Sequence, residues 1–295
     1  MPELPEVETI RLGVERRLRG RTLTDIELHS SRATRHEADL SAYAELAGRR
    51  VLEVARRGKF LWLVLEDSPR ALVLHLGMSG QLLALSSPLA APLRHAAATL
   101  LTDDGGALAF VDQRTFGYLR TSPLLPTPDE RPGGQGTVLP DVPEVLAHIA
   151  RDPLDPHLDT GAAAERMGGT ASAIKRVLLD QRYVSGIGNI YADEALWAIG
   201  LHPEVPAAAI PQEQLWELIR TAAEVMRAAV EVGGTSFDAL YVDTEGEAGY
   251  FARELAAYGQ RGAPCRRCGT LIEKLVVGGR ATYVCPSCQT RGWVT

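Results

Sequence analysis

All four cysteines of this 295-residue chain lie between positions 265 and 288, as Cys265-x2-Cys268 and Cys285-x2-Cys288 with sixteen residues between the pairs. No other feature limits the fold as sharply. Two close thiol pairs at this separation make a four-sulfur cage for a tetrahedral metal, and zinc suits such a ligand set. Two redox dithiols are the competing reading of the same residues. Four sulfurs leave no open coordination position, so one zinc is expected, and it is expected to be structural. Between the pairs, LIEKLVV and ATYVC read as strands around the turn signal Gly278-Gly279. The metal would pin the base of this hairpin. Arg280 sits beside its tip, either as a solvated turn residue or as a phosphate contact.

The remaining length is more than one core needs, so at least two domains are expected. In residues 5–19, Val7, Ile10, Val14 and Leu18 fall on one helical face, with Pro5 in the first turn and Gly20 as the stop. From about 22 to 121 the periodicity changes to short apolar or alternating runs such as FLWLVLE and ALVLHLGM, the pattern of a β-sandwich or flattened barrel. Residues 122–145 are rich in proline and contain RPGGQG, which reads as an interdomain linker. Helical patterns follow at 171–180, 189–200 and 211–234. The expected class is α+β and multidomain. Its expected parts are a β domain with an N-terminal helix (1–121), a linker (122–145), a helical domain (146–260), and the cysteine-bearing end (261–295). No run of about 18 apolar residues occurs, so no membrane span is expected, and the first thirty residues lack the apolar segment of a leader. Cytoplasm is the expected location.

Charge is unevenly distributed. From 253 to 295, Arg253, Arg261, Arg266, Arg267, Lys274, Arg280 and Arg291 stand against Glu254 and Glu273. That segment carries +5, and the rest of a chain of net charge −6 carries −11. A second basic cluster is Arg49, Arg50, Arg56, Arg57 and Lys59. Each cluster reads as a solvated face or as half of a phosphate-contacting surface. Lysine occurs only at 59, 175 and 274. Chemistry requiring a neutral amine therefore has few candidates besides the chain's own terminus, whose pKa lies near 8. With Met1 removed, that terminus is the secondary amine of Pro2, beside the carboxylate of Glu3. A helix start explains the same residues less specifically.

Five motifs occur in order: MPELPEVET, HLGMSG (75–80), DQRTFG (112–117), GIGNIYADE (186–194), and the cysteine hairpin containing GRATYVC. Together they resemble the formamidopyrimidine-DNA glycosylase (Fpg/Nei) family of bacterial base-excision repair enzymes. The resemblance spans nearly the whole chain apart from the loop near 122–143. It implies an N-terminal β-sandwich, a helix–two-turns–helix domain and a zinc finger. The activity it implies is that of a glycosylase and abasic-site lyase, working as a monomer on damaged double-stranded DNA. Its lesions would be 8-oxoguanine opposite cytosine and ring-opened formamidopyrimidines. The competing readings are a Nei-type enzyme for oxidised pyrimidines and a non-catalytic zinc-finger protein that binds lesions. The opening LPEVET with Met78, Arg114 and Phe116 favours the purine enzyme over the Nei type, and the presence of Pro2, Glu3 and Lys59 favours an enzyme over the binding protein.

What the resemblance implies for single residues follows from these motifs. Pro2 would attack the anomeric carbon and form an iminium, Glu3 would serve as general acid/base, and Glu6 would be a second carboxylate near the lesion. Lys59 would contact phosphate and support elimination, and Arg280 would serve the δ-elimination step. Met78, Arg114 and Phe116 would fill the gap left by a flipped base. His95 and Arg114 correspond to DNA contacts. Asn189, at a helix start, would bind phosphate, although an N-cap role explains it equally well. Residues 233–251 resemble a loop that closes over the lesion, with residues 236–241 as its lesion contacts. Ala171 stands where many members have lysine, and Thr115 replaces a residue that is often basic.

Overall fold

The computed structural model describes residues 2–87, 91–235, 244–245 and 254–291. Met1 and residues 236–241 lie outside this range. The chain forms two compact units, Met1–His148 with Val232–Tyr250, and Ile149–Glu231 with Phe251–Thr295. Among the described residues, no helix is long and apolar enough to cross a membrane.

The first unit contains, in order, α1 (Leu4–Leu18), β1 (Leu23–Leu28), the short α2 (Ser41–Ala44), β2 (Val51–Arg57), β3 (Phe60–Leu65), β4 (Arg70–His75), β5 (Gly80–Leu85), β6 (Ala96–Thr102), β7 (Ala107–Asp112), β8 (Tyr118–Pro126) and β9 (Asp141–Pro143). The strands make two antiparallel sheets, β1-β6-β7-β5 and β2-β3-β4-β8-β9. Val7, Ile10, Val14 and Leu18 of α1 join Leu61, Leu63, Leu72 and Leu74 of one sheet and Leu82, Leu100 and Phe110 of the other in a single core. The β-sandwich with its N-terminal helix is therefore as expected.

The expected linker is part of this unit. Leu124, Leu125 and Pro126 of β8 pair with Pro143, Val142 and Asp141 of β9. Gln135 exchanges both backbone hydrogen bonds with Arg56 of β2, at 2.8 and 2.9 Å. The prolines that suggested a linker are tolerated because Pro126 and Pro143 end their strands, Pro143 on the edge strand β9, and Pro128, Pro132 and Pro140 lie outside the strands. The glycines permit close approach. A side chain on Gly134 would strike the Arg56 carbonyl and the Trp62 ring.

The basic cluster on β2 also differs from both readings of it. Arg56 is wholly buried and Arg57 is 5% exposed. Arg56 Nε donates to Glu8 of α1 at 2.6 Å, and Arg57 Nε donates to the Gly133 carbonyl at 2.7 Å. Glu8 also accepts from Arg11 at 2.9 Å, and Arg11 donates to the Val54 carbonyl at 3.1 Å. Arg49 and Arg50 donate to backbone carbonyls of Glu45, Glu66 and Gly20. Arg56 thus ties α1 to β2, Arg50 holds the residue that ends α1, and Arg57 holds the loop at Gly133, duties that spacing alone does not reveal.

The second unit contains α3 (Thr160–Gly168), α4 (Ile174–Leu179), α5 (Asn189–Ile199), α6 (Gln212–Glu231), and the hairpin β10 (Glu273–Val277) and β11 (Arg280–Val284). α6 packs on α3 and α5, and α5 also packs on β11. Between α4 and α5 the Gln181 side chain closes the turns. Its Nε2 donates to the Leu179 and Ile187 carbonyls, and its Oε1 accepts from the Gly186 amide.

The Glu8 network yields a stability prediction. Glu8→Ala removes the carboxylate shared by two buried guanidinium groups and is expected to cost about 3–5 kcal/mol, the range for breaking a buried pair from one side. Urea unfolding monitored by tryptophan fluorescence measures this. A loss below about 1 kcal/mol would show that the network contributes little.

Candidate active site and nucleic-acid interface

At the start of the chain, Pro2 is buried and Glu3 is only 3% exposed, so Glu3 is not the exposed glutamate that a bare helix start would leave. Glu3 is the N-cap of α1, and its backbone N–H donates to Glu6 Oε2 at 2.8 Å. The other oxygen of Glu6 accepts from both the amide and the hydroxyl of Thr235, each at 2.8 Å. Glu6 therefore does more than complement a helix dipole. It joins the chain's beginning to residue 235, immediately before the stretch expected to contact a lesion. At the other flank of that stretch, the Thr244 carbonyl accepts from the Ala84 amide at 2.9 Å.

Lys59 occupies the two-residue turn between β2 and β3 with Gly58, whose φ of 57° suits the first position of a type II′ turn. Lys59 is 6% exposed, which is not the environment of a loose surface lysine. A chain of contacts leads from α1 to this turn. Glu8 holds Arg56, and Arg56 donates to the Gly58 carbonyl at 3.1 Å.

Sequence reasoning missed His75, the first residue of HLGMSG. Strand register sets it between Phe60 and Tyr118, with ring centroids 4.7 and 5.3 Å away. Its Nδ1 accepts from the Gly77 amide at 3.2 Å, so the neutral ring carries its proton on Nε2. Burial, then the positive charge of Lys59, holds its pKa down to about 4.

HLGMSG and DQRTFG fold as one assembly. The buried Asp112 carboxylate accepts from Ser79 Oγ at 2.6 Å and from the Gly117 amide at 2.6 Å. Ser79 Oγ in turn accepts from the Arg114 amide at 3.1 Å. Arg35 donates to the carbonyls of Phe116 and Gly117 at 2.7 and 2.8 Å. Gly77, at φ 61°, lies so near the Phe116–Gly117 backbone that no side chain would fit. The assembly sets half-buried Met78 beside Arg114 and Phe116, both exposed. The Arg114 guanidinium stands 5.6 Å from the Phe116 ring centre. Thr115 between them has φ 56°, a conformation that β-branched residues seldom take. His95, exposed and also left-handed at φ 64°, is tied to the loop through its carbonyl, which accepts from the Asp112 amide at 3.0 Å.

The second unit carries the other candidates. Gly188, not Asn189, caps α5, so the N-cap reading of Asn189 is set aside. Asn189 Nδ2 instead donates to the Ala281 carbonyl of β11 at 2.8 Å, while its Oδ1 is buried and has no hydrogen-bond partner. Arg280, the first residue of β11, is exposed. The sulfurs of Cys265, Cys268, Cys285 and Cys288 lie within 4.8 Å of one another. A tetrahedral zinc at about 2.3 Å from each sulfur spaces them by roughly 3.8 Å, so the four cysteines fit one structural ion. Asn189, Asp193 and Trp197 recur every four residues along α5 and face the finger. Asp193 accepts from the Tyr283 amide at 3.0 Å, and Trp197 Nε1 donates to Cys265 Sγ at 3.4 Å. The adjacent Glu194 carboxylate accepts the amides of Ala256, Ala257 and Tyr258. Two carboxylates in mid-helix within an apolar run were the available signal for these roles. Gln289, directly after the last cysteine, is 1% exposed and binds the Cys285 amide and the Leu201 carbonyl.

The low pKa of His75 has a definite sign. Below about 6.5 an unfolded chain binds a proton at this ring that the fold does not. Its contribution to stability is therefore lost as pH falls from about 6.5 toward 4. An NMR titration of the His75 ring is expected to show a midpoint below about 5. A midpoint near 6.5 would contradict this environment.

Comparison with known proteins matches these modules in order. Residues 1–119 match the formamidopyrimidine-DNA glycosylase N-terminal domain, 149–240 the H2TH domain of the same enzymes, and 262–291 the zinc finger found in FPG and IleRS. The formamidopyrimidine-DNA glycosylase of Mycolicibacterium smegmatis is 50% identical, over 99% of this chain and 98% of its own. That of Corynebacterium aurimucosum is 48% identical, over 99% and 97%. Among solved structures, MutM (Fpg) of Thermus thermophilus superposes with a TM-score of 0.81 at 35% identity, covering 99% of this chain and 100% of its own. Lactococcus lactis Fpg, solved in complex with abasic-site DNA, gives 0.80 at 30% identity, over 98% and 99%. With three domain models in order and half its residues shared with a full-length relative, this chain belongs to the formamidopyrimidine-DNA glycosylase family.

Proposed function

We propose that this protein excises oxidised purines, 8-oxoguanine and formamidopyrimidines, from duplex DNA and then cleaves the strand at the abasic site, acting as a monomer. Pro2, freed of Met1, is the nucleophile. Its neutral amine attacks the anomeric carbon and the carbon–nitrogen bond to the base breaks. Glu3 delivers the proton that opens the sugar, and the resulting iminium acidifies the neighbouring sugar proton. Lys59 binds phosphate through the elimination that follows, and Arg280 serves the second elimination. Met78, Arg114 and Phe116 fill the space of the flipped base, with Arg114 donating to the unpaired cytosine. His95 contacts the DNA, and phosphates are bound by Asn189 and by the amide groups at the start of α5.

The observation carrying this reading is the held chain terminus, with Pro2 and Glu3 buried at a helix start that Glu6 anchors. The work divides among the β-sandwich for chemistry and gap filling, the helical domain for DNA binding, and the finger for Arg280. The zinc, when bound, supplies only the finger's fold. Repair of chromosomal DNA places the protein with the nucleoid in the cytoplasm.

Glu3→Gln is expected to slow single-turnover base excision from an 8-oxoguanine·cytosine duplex by about 10²–10⁴-fold, the usual worth of a general acid/base. Affinity for a duplex bearing a non-cleavable abasic analogue should stay within a few-fold. A rate within a few-fold of wild type would remove Glu3 from the mechanism. Faster excision from thymine-glycol duplex than from 8-oxoguanine duplex would transfer the enzyme to the pyrimidine class.

A further inference from the structure

Lys175 of α4 and Asp193 of α5 are both fully enclosed, with Nζ and Oδ1 2.7 Å apart. Removing two ions from water costs about as much as their attraction returns, so stability alone does not account for such a pair. Further hydrogen bonds of both ions are directed to one place. Lys175 Nζ donates to the Ala281 carbonyl at 3.1 Å and to Thr282 Oγ1 at 2.8 Å, and Asp193 Oδ2 accepts from the Tyr283 amide at 3.0 Å. Thr282 Oγ1 donates onward to the Arg280 carbonyl at 3.1 Å. Three consecutive residues of β11 are thus gripped from below, directly after the exposed Arg280.

The zinc cannot do this work. Arg280 stands five residues before Cys285, roughly 16 Å along a strand, and an isolated two-stranded hairpin has little stability of its own. At the turn itself, Gly278 lies against the Arg176 side chain of α4. Helices α4 and α5 therefore hold the tip while the cysteines hold the base.

We propose that the Lys175–Asp193 pair is a positioning device for Arg280, setting the β11 backbone so that the guanidinium is placed for the second elimination. This inference rests on the assignment of Arg280 to that step.

The test compares Lys175→Met/Asp193→Leu, Arg280→Ala and the combined variant with the unaltered protein. Methionine and leucine fill similar space and leave no buried ion unpaired, and one zinc per chain with an unchanged melting temperature checks the fold. On a duplex with a preformed abasic site, the ratio of β-only ends to β,δ ends is measured beside borohydride trapping. The expected result is at least a ten-fold rise in β-only ends, trapping within two-fold, and no further rise in the combined variant. Asp193→Glu keeps both charges but lengthens the arm, and is expected to give an intermediate ratio. An unchanged ratio in both pair variants, beside a changed ratio in Arg280→Ala, overturns the proposal alone. An unchanged ratio in Arg280→Ala overturns the assignment of Arg280 and the proposal with it. A parallel loss of trapping with zinc retained also overturns it, because the pair would then act before the second elimination.

Discussion

The Glu6 carboxylate binds the chain's first turn to residue 235, and the proposed chemistry depends on that bond. Termini are where most proteins are least ordered, yet a terminal amine used as a nucleophile must be held to within a fraction of an ångström. Glu6 resolves the conflict by accepting the Glu3 amide on one oxygen and Thr235 on the other. Further along α1, Arg11 reaches the β2 carbonyl of Val54, and Glu8 reaches Arg56 beneath the turn that carries Lys59. The same short helix therefore anchors the amine and supports the turn of the lysine proposed to assist it.

The second unit solves a similar problem with a different element. Helix α5 presents its start to the proposed phosphate site and one continuous face to the finger, through Asn189, Asp193 and Trp197. Arg267 closes the far end, with its guanidinium 4.4 Å from the Trp197 ring centre and its donors on the last carbonyls of the helix. Several arginines of the basic tail are thus spent on docking. Arg266, Arg267 and Arg291 all have partners within the unit. The +5 charge of the segment overstates what is available to a polyanion.

Legibility in the sequence followed the range of the interaction. The metal site was readable because ligand spacing is local chemistry, and α1 and the strands were readable because burial imprints a period. The tract 122–143 was misread because its prolines and glycines carry the same local signal in a linker as at a sheet edge, and only Gln135 meeting Arg56 tells them apart. A helix start explains Pro2 and Glu3 only loosely from sequence, whereas in the fold the backbone of Glu3 caps α1 while its side chain is buried. The candidate residues came from ordered motifs. Their supports were not legible as supports, because Asp112 acts through Ser79 and Lys175 through Ala281, partners far away in the chain.

The central claim is that the reagent is the secondary amine of Pro2. Having only three lysines makes the claim easy to test. Borohydride reduction during reaction with an 8-oxoguanine duplex, followed by proteolysis and tandem mass spectrometry, locates the attached sugar. The expected result is one adduct, on the amine of Pro2, in a chain lacking Met1. An adduct on Lys59, Lys175 or Lys274, or equal trapping of a chain that retains Met1, would contradict it.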